Sequence, residues 1–387
     1  KLILEGIAVG SIVGLVIALF RVMIVKADQA RHMAVHLVKV RPIYAFAVFM
    51  ALILIAWILD KLLSYEPDIS GSGIPQIEGE LKGLEDQNWR KVLLAKFAGC
   101  ILAIGGGLAL GREGPSIQLG GMIGKGFARR KNALLTEERM LMSCGAGAGL
   151  AAAFGAPLAG VLFALEELHK NFSAEVLVST MAASAVADYI AVNIIGLRPV
   201  FDFDVEHRIP LRLYWAVVLL GVILGILGVL YNKLLDKMQD FFDRFDSKFI
   251  SIGIMLMISF LMMFIYPTVL GSGNDLVKVI SDGKFTLIAL AILLVAKLFF
   301  STGSFGTGTP GGIFLPLLVI GAITGGLYST FLSTAFGVEE YYIKGFVIIA
   351  MAGFFAAIVR APITGVILIT EMTGNFMTLL SLVAASL

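Results

Sequence analysis

Gly111-Arg112-Glu113-Gly114-Pro115 breaks into apolar sequence directly after the run 92–110. Glycine permits unusual backbone angles and close approach. A proline suits the first turn of a helix, where its missing N–H costs nothing. The stretch therefore reads as a helix start whose first N–H groups lack intrahelical partners. Two more clusters share this grammar: Gly71-Ser72-Gly73-Ile74-Pro75, running on to Glu78, and Gly311-Gly312-Ile313-Phe314-Leu315-Pro316. Taken singly, each reads rather as a close helix crossing built from small residues. Three together, one holding a carboxylate, point to a site. Free N–H donors and the positive end of the helix dipole both favour an anion. Such a site holds its ion without a full positive charge, which lets the ion leave again.

Around these clusters the chain is strongly apolar. Its 387 residues are 58% hydrophobic and 15% charged, with a mean hydropathy of +0.92. A soluble domain carries roughly 25% charged residues. Apolar runs recur near 3–25, 43–63, 92–110, 141–165, 174–196, 213–232, 249–270, 285–300, 313–332, 343–370 and 376–387. A spanning helix needs about 20 apolar residues, and several runs supply them. An all-α polytopic membrane protein follows, because lipid offers backbone groups no partner outside their own helix. The ten-residue alternation of a membrane β-barrel is absent. Thirty basic against 28 acidic side chains leave a net +2, so no charge excess points to nucleic acid. The chain begins at Lys1 and ends within an apolar run at Leu387, and it is expected to be a portion of a longer protein.

The chain also resembles itself. Ala156-Pro157-Leu158-Ala159-Gly160-Val161, followed by Glu166, returns as Ala361-Pro362-Ile363-Thr364-Gly365-Val366, followed by Glu371. Gly71-Ser72-Gly73 returns as Gly271-Ser272-Gly273. An internal duplication is expected, with a first transmembrane repeat over 1–200 and a second over 211–387. The polar segment Arg198 to Arg212, with Pro199, Asp202, Asp204, Glu206 and Pro210, reads as the linker. Duplicated transporters bind substrate where the repeats meet and where helices break at mid-membrane. Sequence leaves open whether the repeats are parallel or inverted, and mixed loop charges leave the orientation open too.

Glu113 is the sharpest residue, since an intramembrane carboxylate is functional by default. At a helix N-terminus it acts as an anion itself, filling the place of a diffusible one until protonation releases it. Competition of this kind couples an anion to a proton. Arg112 beside it is expected to pair elsewhere, because adjacent side chains diverge. Glu166 and Glu167 close the run Leu158 to Leu165 and read either as a solvated helix end or as a proton acceptor at the aqueous mouth. Glu371, the repeat mate of Glu166, is expected to be structural.

At these residues the sequence resembles the CLC family of chloride channels and proton-coupled chloride transporters, in its prokaryotic form. The three Gly/Pro clusters match the family's signature motifs in order, Ala156-Pro157-Leu158-Ala159-Gly160 is similar too, and the likeness extends over nearly the whole chain. The resemblance implies an inverted-repeat fold with broken helices meeting at mid-membrane. It also implies a homodimer with one pathway per subunit, in the plasma (bacterial inner) membrane, handling chloride and protons within the lipid bilayer. It assigns anion binding to Ser72, Gly73 and Ile74, to Arg112, Glu113 and Gly114, and to Ile313, Phe314 and Leu315. In that scheme Ser72 offers its hydroxyl to a central anion, with the Ile313 and Phe314 amides; those near Arg112, Glu113, Gly114 and Leu315 hold an outer one. Glu113 matches the gating glutamate and Glu167 the inner proton glutamate, a position that channel members typically fill with an apolar residue. Ser72 is the residue type linked with chloride. The family's central-site Tyr belongs to a last helix expected beyond Leu387, as is any cytosolic regulatory domain.

The expected activity is secondary active exchange of chloride for protons; the alternative is a passive voltage- or pH-gated anion channel. No enzyme is expected, since neither a Ser-His pair nor an HExxH context occurs. No cofactor is expected either, chloride being the substrate. Gly306-Thr307-Gly308-Thr309-Pro310-Gly311 has dinucleotide spacing without the strand-turn-helix context. His32 and His36 lack the zincin Glu, and Cys100 and Cys144 read as small core residues.

Overall fold

The computed structural model describes residues 1–170, 172–196, 200–201, 207–283 and 285–386. Arg198, Pro199, Asp202, Asp204 and Glu206 of the expected linker, and Leu387, lie outside them. The described residues form sixteen α-helices and no strand. Eight segments are long and apolar enough to cross a membrane.

The helices come in two sets of similar order. The first holds α1 (Leu2–Val40), α2 (Tyr44–Tyr65), the short α3 (Ile74–Lys82), α4 (Trp89–Gly105), α5 (Glu113–Arg130), α6 (Leu135–Phe154), the short α7 (Pro157–Phe163) and α8 (Ala174–Ile195). The second holds α9 (Tyr214–Phe242), α10 (Lys248–Ile265), the short α11 (Asn274–Ser281), α12 (Leu287–Gly306), α13 (Phe314–Phe336), α14 (Ile343–Val359), α15 (Pro362–Thr373) and α16 (Leu379–Ser386). Packing repeats as well. In the first set α1 lies against α4, α6 and α8, and α5 against α6; in the second, α9 lies against α12, α14 and α16, and α13 against α14.

The two sets are inverted with respect to each other. Glu166, just past the C-terminal end of α7, accepts hydrogen bonds from the Ile363 and Thr364 amides at the start of α15, at 3.2 and 2.7 Å. Glu371, near the end of α15, accepts from the Leu158 and Ala159 amides at the start of α7, at 3.1 and 2.8 Å. Each helix end meets the other's beginning, so α7 and α15 run antiparallel. The structure thereby answers what the sequence left open.

Without a hydrophobic drive between helices in lipid, close packing falls to small residues. Gly120, Gly124, Gly145 and Gly149 bring α5 and α6 together so closely that a Cβ on any of them would strike the partner's backbone. Gly321 and Gly325 do the same for α13 on α14, where an added Cβ would lie 2.7 Å from the Ala350 carbonyl oxygen and 2.6 Å from that of Phe346. These helices form the interior: α13 is mostly buried, whereas α2 faces outward.

Three ion pairs cluster on one face. Lys1 pairs with Glu137 at 2.7 Å, Lys131 with Glu5 at 2.5 Å, and Arg129 with Glu138 at 3.2 Å. From this face α5 leads back about 27 Å to Glu113, at 1.5 Å per residue. Arg31, thirty residues along α1 from Lys1, lies about 45 Å away toward the opposite face.

Candidate functional site

Two buried lysines set the loops that precede the short helices. Lys96 of α4, fully buried, donates from Nζ to the carbonyls of Ile69 at 2.8 Å and Gly71 at 2.7 Å. Lys297 of α12, equally buried, donates to Val269 at 2.7 Å and Gly271 at 2.9 Å. Sequence reasoning passed over both. Their signal was a lone Lys within an apolar run, which a membrane protein tolerates only for a purpose.

The three Gly/Pro clusters meet. Gly111 and Gly312 exchange backbone hydrogen bonds at 2.6 and 2.7 Å. The Gly311 amide donates to the Gly71 carbonyl at 2.9 Å, and the Gly71 amide to Gly308 at 3.2 Å. Gly73, at φ +88°, caps α3, a backbone angle that a side chain would strain. Gly114 lies so close to Ser72 that a Cβ there would stand 2.7 Å from Ser72 Cβ. A Cβ on Gly312 would stand 2.8 Å from Glu113 Oε2. Glycine at these positions is what lets the starts of α3, α5 and α13 converge.

Each start leaves donors free. The first intrahelical bonds are Ser116 N–H to the Arg112 carbonyl and Leu317 N–H to Ile313, both at 3.0 Å. The amides of Glu113 and Gly114, and of Ile313, Phe314 and Leu315, therefore precede the helical ladder, and Pro115 and Pro316 leave no donor unused. The Ile74 amide donates to Ser72 Oγ at 3.3 Å. Ser72 thus receives one bond on its oxygen and keeps its O–H to give.

Glu113 is fully buried. Its carboxylate lies among the Arg112, Glu113 and Leu315 amides, yet neither oxygen closes a hydrogen bond of good geometry. Neither it nor Arg112 takes part in any ion pair among the described residues, and Arg112 Nε is buried without a partner. Below the site, Phe314 packs edge-on against Phe355 and Phe163, at 4.8 and 6.2 Å between centroids.

Glu167 stands apart from this cluster. It sits half-buried in a π-helical turn, Ala164–His169, that continues α7. Such turns collect at functional sites. Its charged neighbours are Glu78, Lys170, Glu166 and Lys82, and Glu78 in turn accepts a hydrogen bond from Lys82 at 3.0 Å and forms a looser ion pair with Lys170 at 3.7 Å. Glu166, by contrast, is occupied as the cap of α15. Of the adjacent pair, only Glu167 keeps a carboxylate uncommitted to the helix clasp.

A family model described as voltage gated chloride channel matches residues 51–387. The chain belongs to the voltage gated chloride channel family. Among its relatives is the H(+)/Cl(-) exchange transporter ClcA of Vibrio cholerae, 34% identical in an alignment 358 residues long that covers 88% of this chain and 76% of that protein. The crystal structure of a slow cyanobacterial Cl-/H+ antiporter is 30% identical, with a TM-score of 0.93 over 100% of this chain and 93% of that one. A CLC-type fluoride/proton antiporter, at 20% identity and TM-score 0.84 over 100% and 93%, shares the fold. The chain is thus a multi-pass integral membrane protein of a transport family.

Proposed function

We propose that this chain exchanges chloride for protons across a membrane. One observation carries the reading: a fully buried carboxylate, Glu113, lies unbonded among the free amides of converging helix starts. An ionised Glu113 occupies the outer anion position. Protonation removes its charge and its claim on the amides, and an anion takes its place. A central anion is held by the Ser72 O–H and the Ile313 and Phe314 amides, with Gly73 and Ile74 shaping its wall; Arg112, Gly114 and Leu315 contribute to the outer position. No full charge touches the central anion, which keeps its binding reversible. Glu167, on the ion-paired face, exchanges the proton with water. The named relatives, an H(+)/Cl(-) exchange transporter and a Cl-/H+ antiporter, support this reading over a passive channel. A homodimer with one pathway per subunit, in a plasma or bacterial inner membrane, belongs to the same proposal.

Reconstitution in liposomes with simultaneous chloride and pH electrodes tests it. A chloride gradient drives protons uphill in the native protein. Glu167→Ala keeps anion flux and loses proton pumping; uphill pumping by that variant removes Glu167 from the mechanism. Glu113→Gln gives anion flux insensitive to pH, and persistent coupling in it defeats the competition mechanism. Voltage that follows the chloride gradient alone in the native protein identifies a channel instead.

A further inference from the structure

A cavity with a largely apolar lining and a few charged groups opens on the face away from the Lys1–Glu137 pair. It has a volume of about 440 Å³ and is lined by Arg112 and Leu315, by Asp28 and Arg31 of α1, and by Ser272 and Asn274 at the start of α11. Its floor is therefore the outer end of the site just described.

The wall formed by residues 271–274 copies the loop at Ser72. Gly71 and Gly73 have φ +60° and +88°; Gly271 and Gly273 have +64° and +85°. Lys96 clamps the first loop and Lys297 the second through equivalent carbonyls. The Gly71 amide is tied to Gly308 and the Gly271 amide to Gly107, at 3.2 and 3.0 Å. Inversion has turned this second Gly-Ser-Gly loop toward the opposite face. A backbone able to start a helix at an anion thus recurs at the outer mouth.

A helix start alone makes no site, but a buried cation faces this one. Arg31 is 7% exposed. Its Nη2 is committed to Asp28 at 2.7 Å, while its Nη1 lies beside Gly271 without a partner. Arg112 lines the same cavity, and its Nε is likewise buried without a partner. Two carboxylates oppose these cations. Asp28 is already spent on Arg31, and Asp275 stands exposed on the rim, where water screens it. Buried guanidinium groups with open N–H positions call for a bound acceptor.

We propose that this cavity is an anion antechamber: a small monovalent anion, a halide such as chloride, docks on Arg31 Nη1 and the 272–274 backbone before passing Arg112 to the outer position. The proposal rests on the anion-exchange reading and adds a station outside it. The Arg31 site collects anions at the mouth, while the site at Glu113 selects and couples them.

Crystals of the full chain soaked in bromide test both at once, because bromide scatters anomalously and the Ser72 site serves as control. The expected map shows bromide within hydrogen-bond reach of Arg31 Nη1 as well as at Ser72. Bromide at Ser72 and none at Arg31 overturns the antechamber and leaves the exchange reading standing. Bromide at neither overturns both. A rubidium peak at Asp28 and Asp275 in a parallel soak overturns the antechamber as well, by making it a cation site. In liposomes, Arg31→Gln raises the half-saturating chloride on the cavity's face about tenfold, the scale of one charge-assisted hydrogen bond, with the maximal rate and the chloride-to-proton ratio unchanged. Asn274→Asp leaves the Arg31–Asp28 pair intact and shifts half-saturation the same way by adding a negative charge. An unchanged half-saturation in Asn274→Asp overturns the proposal even where Arg31→Gln does not fold.

Discussion

At the scale of single residues, the least legible groups in the sequence are the ones that hold the site's frame. Glu113 announces itself because a carboxylate beside Gly-Pro in apolar sequence has no solvent to turn to. Lys96 does not, because one Lys in a long run also reads as a side chain reaching for the interface. The structure shows it fully buried and bonded to two carbonyls. Lys96→Met preserves the length of the side chain and removes both donors. The Ile69 carbonyl is then buried without a partner, at a cost of about 1–3 kcal/mol, and the Gly71 carbonyl keeps only the Gly311 amide. The expected result is a fall in the thermal midpoint of the detergent-purified protein together with weaker anion binding, read by calorimetry at low and high chloride. A variant as stable as the native protein removes the lysine from its framing role. Glu166 and Glu167 teach the converse lesson. Their neighbouring positions read alike in sequence, and only the antiparallel contact with α15 separates a helix cap from a free carboxylate.

Elements were legible where composition and helix coincide, and obscure where they part. The apolar runs 141–165 and 343–370 each hold two helices, broken at Gly155-Ala156-Pro157 and Arg360-Ala361-Pro362. Lipid solvates both pieces equally, so hydropathy sees one run; the prolines carried the boundary. The run 3–25 is the apolar part of α1, which continues to Val40 through charged turns. Hydropathy reports the solvent around a helix, not its end. The three broken helices were readable for the opposite reason, since Gly and Pro act on the backbone itself. The α7–α15 clasp was not readable, because it joins residues some two hundred positions apart. Glu371→Ala strips the cap from the Leu158 and Ala159 amides, a loss of about 1–2 kcal/mol for a charged cap at a helix N-terminus. The expected reading is faster hydrogen exchange at those two amides and a lower unfolding midpoint, with anion selectivity unaltered. Unchanged exchange there means the clasp contributes nothing.

For the whole molecule, inversion explains why one sequence pattern makes two different sites. The Gly-Ser-Gly loop of the first set opens toward α5 and α13, and its copy opens on the cavity at Arg31. Neither set completes the proposed anion site alone: Ser72 and Glu113 come from one, Ile313 and Phe314 from the other. The Gly111–Gly312 pair, the α7–α15 clasp and the α2–α10 contact hold the sets together. Those joints are helix ends and side chains, with no shared helix, so continuity of the chain between the sets is a matter of concentration more than of structure. Residues 1–200 and 211–387 produced as separate polypeptides in one cell are therefore expected to copurify and to restore proton-coupled anion flux. Each half alone leaves the Gly111 or Gly312 backbone and the α7 or α15 cap unpaired within lipid, where every such group costs several kcal/mol, and is expected to be degraded. Copurification without flux would mean that the sets associate but that the converging helix starts require an unbroken chain for their alignment; failure to copurify would mean that the boundary cuts through a folding unit.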